Sequence, residues 1–86
     1  MLKTKYGYHS VKIKKGELGE LSKIQEELDE LKDAEEQSVK ILSMVELADL
    51  YGAIREFARR KYGLKMRDLH DMAKLTRRAF EQGYRK

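Results

Sequence analysis

The sequence predicts an all-α protein: a small unit of about three helices behind an extended N-terminal arm, associating into a four-helix-bundle-type dimer or tetramer. Three observations carry this. Proline is absent and 40% of residues are charged, with Leu, Lys, Glu, Arg and Ala prominent, which is the composition of helical bundles. Apolar residues recur at spacings of three and four over most of the chain, the period of a helix with one face turned inward. An 86-residue chain is also short for a complete core. At that size only about 60% of the unfolded surface is buried, and association is a common remedy. Residues 1–86 are expected to form one domain, with the arm over 1–16 and helices over 17–86.

The elements follow in order. Residues 4–16, TKYGYHSVKIKKG, alternate briefly at Val11, Lys12, Ile13 and Lys14, which predicts an extended arm or a short strand. Gly16 and Gly19 punctuate the exit. The first helix is expected over about 17–36, with Leu18, Leu21, Ile24, Leu28 and Leu31 as its apolar stripe. Ser22 followed by Gln25 matches a capping box and allows a later start. Ser38 is expected to cap a second helix reaching Tyr62, with Gly63 as its C-terminal stop. Gly52 inside that helix costs about 1 kcal/mol relative to Ala, which suggests close approach of another helix or of an aromatic ring. A third helix is expected over about 65–82, with Gly83 beyond it. Its apolar stripe is Met66, Leu69, Met72, Ala73, Ala79 and Phe80. Met44, Met66, Met72, Tyr51 and Tyr62 read as packing residues.

Cysteine is absent, so neither disulfides nor a thiolate metal site can add stability, which fits a reducing compartment. The opening MLKTKYGYHSVKIKK is basic but lacks the apolar stretch of a signal peptide. No apolar run approaches the roughly 20 residues that cross a bilayer. A cytoplasmic protein without a membrane partner is expected. Its net charge of +4 is unevenly spread. Residues 17–36 hold nine acids against Lys23 and Lys32, while the first sixteen residues hold five lysines and no acid. From Arg55 onward there are eleven Lys/Arg and four acids. A pI near 9.3 points to an anionic partner, either nucleic acid or a phosphorylated small molecule, or else to complementary faces within a bundle.

The acids at three-residue spacing are the most informative feature. Glu46 and Asp49 lie within roughly 60° of each other on a helical projection, among Leu42, Val45, Leu50, Ala53 and Phe57. A helix that is apolar all round is a buried one. Two buried carboxylates each lose several kcal/mol of hydration, so Arg, Lys or a divalent cation must compensate. Glu27 and Glu30 repeat the spacing at the edge of the first apolar stripe. Antiparallel packing would bring the two pairs together as a hard-oxygen cage of the kind that Mg²⁺ or Mn²⁺ prefers. Glu26 sits beside them and would steady a ligand or accept a proton from water. Asp29, Asp33, Glu35 and Glu36 read as a solvated face.

EELDE at 26–30 followed by ELAD at 46–49 resembles the EExxE…ExxD signature of MazG-like nucleotide pyrophosphohydrolases. These belong to the all-α NTP pyrophosphatase superfamily, with dimeric dUTPases and phosphoribosyl-ATP pyrophosphohydrolases. The wider frame SKIQEELDELKDA…VELADLYGAI is similar to small stand-alone members often carried by phages. The resemblance covers residues 17–60 well and the remainder loosely. It implies hydrolysis of a (d)NTP to the monophosphate and pyrophosphate by a homodimer or homotetramer. It also implies Mg²⁺ held at Glu27, Glu30, Glu46 and Asp49, with Glu26 as an additional motif acid.

In the third helix Arg67, His70, Lys74, Arg77 and Arg78 form one cationic stripe. It is either a solvated face paired with another protomer's acids or a triphosphate clamp. Family members commonly carry a Lys and an Arg there, so Lys74, Arg77 and Arg78 are the candidate phosphate contacts. His9 lies in the arm with Tyr6 and Tyr8, which would either cover a nucleotide base or make an oligomer contact. Two other readings stand beside the enzyme: a basic helical protein that binds nucleic acid, and a non-catalytic oligomerising bundle.

Overall fold

The computed structural model describes residues 9–81, except the side chains of Arg78, Ala79 and Phe80; Tyr6, Tyr8 and Gly83 lie outside the described residues. The architecture is all-α, with three helices: α1 (Leu21–Gln37), α2 (Lys40–Tyr62) and α3 (Met66–Glu81). Residues 9–16 lead into α1 without forming a strand, so the alternation at Val11–Lys14 gives an arm and not a ladder. None of these helices is long and apolar enough to cross a membrane.

Two boundaries differ from expectation. α1 begins at Leu21, later than the expected start near residue 17 but without a Ser22 cap; the Ser22 hydroxyl accepts the Glu17 N–H instead (3.0 Å). Ser38 ends α1 where it was expected to start α2. It sits in the left-handed region (φ 58°), with its N–H on the Glu35 carbonyl (3.1 Å). Val39 then precedes α2 without a side-chain cap. With only two residues between the helices, one must reverse the chain, and Ser38 takes that conformation. Gly63 closes α2 as expected, at φ 67° with its N–H on the Arg59 carbonyl (2.9 Å). Arg59, Arg60 and Lys61 in the last turn complement the helix dipole.

The short connection makes α1 and α2 an antiparallel hairpin. The Ser43 hydroxyl donates to Glu35 near the turn (2.6 Å), and Arg60 Nη1 donates to the Leu18 carbonyl at the open end (3.0 Å). Gly19 permits that second contact, since it has φ 95° and a Cβ there would lie 2.6 Å from the Arg60 guanidinium.

The face that α1 buries is its acidic one. Its buried residues are Glu26, Glu27, Asp33 and Ala34, whereas Leu18, Leu21 and Leu28 of the predicted apolar stripe are exposed. α2 buries Leu42, Glu46, Ala53 and Ala58 but exposes Ile41, Met44, Val45, Leu47 and Tyr51. It is therefore not enclosed within one protomer. Tyr62 is exposed too and meets Phe57 edge-on, with ring centroids 6.0 Å apart. α3 barely touches the hairpin, and Met72 and Leu75 on it are exposed. Met44 and Met72 are thus not core fillers. A Cβ at Gly52 would meet nothing within 4 Å among the described residues beyond its own helix, so no close approach of another element is seen there. Large apolar side chains are thus exposed on all three helices.

Candidate metal centre

Helical periodicity brings the four acids together. Glu27 and Glu30 on α1 face Glu46 and Asp49 on α2, and one carboxylate oxygen from each lies within 4.8 Å of all the others. The depth is uneven. Glu27 and Glu46 are buried, at 5% and 6% exposure, Glu30 is half-buried, and Asp49 is exposed. The expectation of two buried carboxylates on α2 therefore holds for Glu46 and fails for Asp49, which stands at the mouth of the group. It borders a cleft of about 490 Å³ that is also lined by Lys23, Glu27, Gly52 and Arg55. Glu27 Oε2 and Glu46 Oε2 are fully enclosed and meet no hydrogen-bond donor among the described residues.

Electrostatics set these acids apart from their neighbours. Burial, reinforced by the Glu30 charge, pushes the Glu27 carboxyl above its ordinary range against the pull of Lys23, 3.3 Å away. Burial and then the facing Glu46 carboxylate push Glu30 up as well. A buried oxygen without a donor, beside like charges, is costly unless a cation joins it. The residues present fit one: hard oxygens, close spacing and two idle lone-pair sites suit Mg²⁺ or Mn²⁺.

Glu26 is differently employed. Its Oε1 accepts the Gly16 N–H (2.8 Å) and the Lys23 ammonium (3.2 Å), while Oε2 lies 3.6 Å from Lys15. Burial alone would raise its pKa, but the Gly16 bond and the two lysines outweigh it and hold the carboxyl below its ordinary range. Glu26 ties the arm to α1 and is a weak base there. Gly16 makes the tie possible, since a Cβ would fall 2.2 Å from the Ser22 carbonyl oxygen.

Asp33 and His9 are the residues that sequence reasoning missed. Asp33, assigned to a solvated face, is 4% exposed. It accepts the Ser10 N–H (2.9 Å), the Ser10 hydroxyl, Gln37 Nε2 (2.8 Å) and His9 Nδ1 (2.9 Å). Burial works against its charge, yet these donors hold its pKa below the ordinary carboxylate range. The signal was there for Asp33: Glu26, Glu30, Asp33 and Gln37 recur at spacings of four, three and four on one helix face. Nothing in an aperiodic arm announces that His9 will meet a helix 24 residues away.

The third-helix cations are not brought to the acids. Lys74 and Arg77 are exposed, and Arg77 Nε pairs with Glu81 on its own helix (2.8 Å). His70 is exposed as well, and the Arg78 side chain lies outside the described residues. Among the described residues, neither the cleft beside Glu27 and Asp49 nor the one beside His9 and Glu30 is lined by an α3 side chain; Lys23 and Arg55 line the first. No family model, curated protein or solved structure matches this chain.

Proposed function

We propose that the protein is a metal-dependent nucleoside triphosphate pyrophosphohydrolase, converting a (d)NTP and water to the monophosphate and pyrophosphate. The observation that carries the reading is the convergence of the Glu27, Glu30, Glu46 and Asp49 carboxylates, two of which keep a buried oxygen that meets no donor among the described residues. These are the four positions at which the sequence resembles the pyrophosphohydrolase signature. A nucleic-acid-binding surface would employ the exposed cations of α3 but gives these acids no task.

The four carboxylates would hold Mg²⁺ or Mn²⁺, which supplies charge neutralisation for the triphosphate and a more acidic water. Lys23 and Arg55, at the rim of the 490 Å³ cleft, are placed to meet phosphate oxygens. A cleft of that size is in the range that takes a nucleotide. In the reaction the water oxygen bonds to phosphorus of the α–β anhydride, and the bridging P–O bond breaks. The electron pair would leave with the departing fragment, pyrophosphate for attack at the α phosphorus or the nucleoside monophosphate for attack at the β phosphorus, and the water proton would pass to a carboxylate. Glu26 is the poorest acceptor, since both its oxygens face donors or cations.

Two further parts of the reading concern a second copy of the chain. The outward leucines of α1 and the outward Ile41, Met44 and Leu47 of α2 are what a homodimer or homotetramer would cover. In such an assembly Lys74, Arg77 and Arg78 would reach the phosphates of a neighbouring protomer's substrate. The test is a pyrophosphate-release screen over canonical and modified NTPs with Mg²⁺ or Mn²⁺. Release of pyrophosphate with the matching monophosphate, abolished in Glu27→Gln and in Asp49→Asn, is expected. If every nucleotide survives in the presence of both metals, the reading fails.

A further inference from the structure

The oxygen quartet leaves His9 unexplained. Its Nε2 is 3.6 Å from Glu46 Oε1 and 4.0 Å from Glu30 Oε2, and these three residues offer ligand atoms all within 4.8 Å of one another. Atoms bound to one ion at about 2.1 Å stand roughly 3–4 Å apart, so the separations are those of a shared ligand sphere. The ring is also held for the purpose. Asp33 is a carboxylate that already accepts from Ser10 and Gln37, so the imidazole must be the donor at Nδ1. That hydrogen bond fixes the tautomer and directs Nε2 at Glu30 and Glu46. A carboxylate bonded behind the distal nitrogen is how proteins habitually orient a metal-binding histidine.

Charge and access point the same way. Four carboxylates converge in the quartet, and one divalent cation would neutralise half of their charge. The enclosed Glu46 Oε2 meets no donor among the described residues, and Glu46 is a member of both ligand groups. The His9 side of the group has its own opening, a cleft of about 290 Å³ lined by His9, Val11, Lys12, Ile13, Lys15 and Glu30. Glu27 and Asp49 border a different cleft.

We propose that His9 Nε2, Glu30 and Glu46 hold a second divalent cation, bridged by the two glutamates to the one in the oxygen cage, and that the position selects Mn²⁺ or Zn²⁺ over Mg²⁺. The selectivity follows from the nitrogen donor, since Mg²⁺ takes oxygen ligands almost exclusively while imidazole suits first-row transition ions. This inference rests on the reading that the quartet binds a divalent cation.

The experiment is a titration of the 86-residue chain with Mn²⁺, followed by electron paramagnetic resonance with pulsed detection of ¹⁴N coupling. Two classes of bound Mn²⁺ are expected, one carrying a histidine nitrogen and resisting excess Mg²⁺. His9→Gln should remove the nitrogen coupling and weaken that class at least tenfold while leaving the other class in place. Asp33→Asn should weaken the same class about 10–100-fold without abolishing it. Glu27→Gln should weaken the oxygen-only class and preserve the nitrogen signal. Bound Mn²⁺ without nitrogen coupling in the wild-type protein would overturn the second position and leave the oxygen cage standing. An absence of Mn²⁺ binding would overturn both. The wild-type spectrum decides the matter even if His9→Gln fails to fold.

Discussion

Two pairs of buried acids lie within a few turns of each other and have opposite surroundings. Glu26 and Asp33 are met by donors from the arm: the Gly16 N–H for one, the Ser10 N–H and His9 for the other. Glu27 and Glu46 each keep an enclosed oxygen that meets no donor among the described residues. The first pair is held below the ordinary carboxylate range, while Glu27 is pushed above it. Burial is similar in the two pairs, so burial alone does not decide what an acid does. The supply of donors does. Donors turn Glu26 and Asp33 into fasteners for the arm, and the shortage of them leaves Glu27 and Glu46 able to take a cation.

That contrast is broken most visibly at the ligands. Glu46→Gln is expected to lower pyrophosphate release by more than about 10²-fold, since it removes a whole ligand and not an outer-shell partner of one. The same substitution should raise, or leave unchanged, the melting temperature of the metal-free protein, because it deletes a buried charge beside Glu30. A large drop in metal-free stability would mean that Glu46 is a structural acid after all. Asp33→Ala should do the reverse. Stranding the Ser10 and His9 donors is expected to cost about 3–5 kcal/mol in urea denaturation, out of a total of roughly 5–15 kcal/mol for a domain. Next in size is the effect of the cation itself. Mg²⁺ or Mn²⁺ at a hundred times its dissociation constant should stabilise the protein by about 2.7 kcal/mol. Thermal melts with and without Mg²⁺ read this directly, and the response to Mg²⁺ should shrink in Glu27→Gln.

The pH dependence separates the pairs again. Asp33 and Glu26, with lowered pKa values, add stability above their unfolded values near 4, and that contribution is lost as pH falls through the folded values. Glu27 and Glu30, with raised values, act oppositely. Their contribution is complete below the unfolded value and is lost as pH rises through the folded ones. The metal-free protein should therefore lose stability on both sides, through different residues. Melting profiles from about pH 3 to 8 should show Asp33→Asn flattening the acid limb and Glu27→Gln flattening the other. One limb responding to both variants would erase the distinction.

The sequence showed the quartet because a helix turns spacing into geometry. Residues three apart share a face, and a short turn sets two such faces opposite each other. The three helices and the Gly63 stop were legible for the same reason. What was not legible depended on partners that lack a period. Asp33 lay in plain view on the stripe of Glu26 and Glu30, but its donors come from an irregular arm. Of the predicted apolar stripe, Leu18, Leu21 and Leu28 point outward, while Ile24 and Leu31 are half-buried. An apolar stripe establishes that something must cover it, and does not say whether that cover is the same chain. Ser38 failed as a cap for a third reason: the two-residue link needed a left-handed turn more than a helix start.

The smallest expected effect tests which donors make Glu26 a fastener. Lys15 approaches Glu26 Oε2 at 3.6 Å but is 83% exposed, whereas Lys23, at 28%, lies 3.2 Å from Glu26 and 3.3 Å from Glu27. Water screens the first pair, so Lys15→Ala should change stability by less than about 0.5 kcal/mol. Lys23→Ala should cost more, about 1 kcal/mol, since it removes a partly buried charge from both acids. Lys23, like His9, has ion pairs to a fastened acid and to an idle one. Its loss should therefore weaken metal retention less than Glu27→Gln does, because the quartet keeps all its oxygens. If Lys15→Ala and Lys23→Ala prove equal in chemical denaturation, long-range charge holds Glu26. A difference between them assigns the hold to the Gly16 N–H and the nearer ammonium.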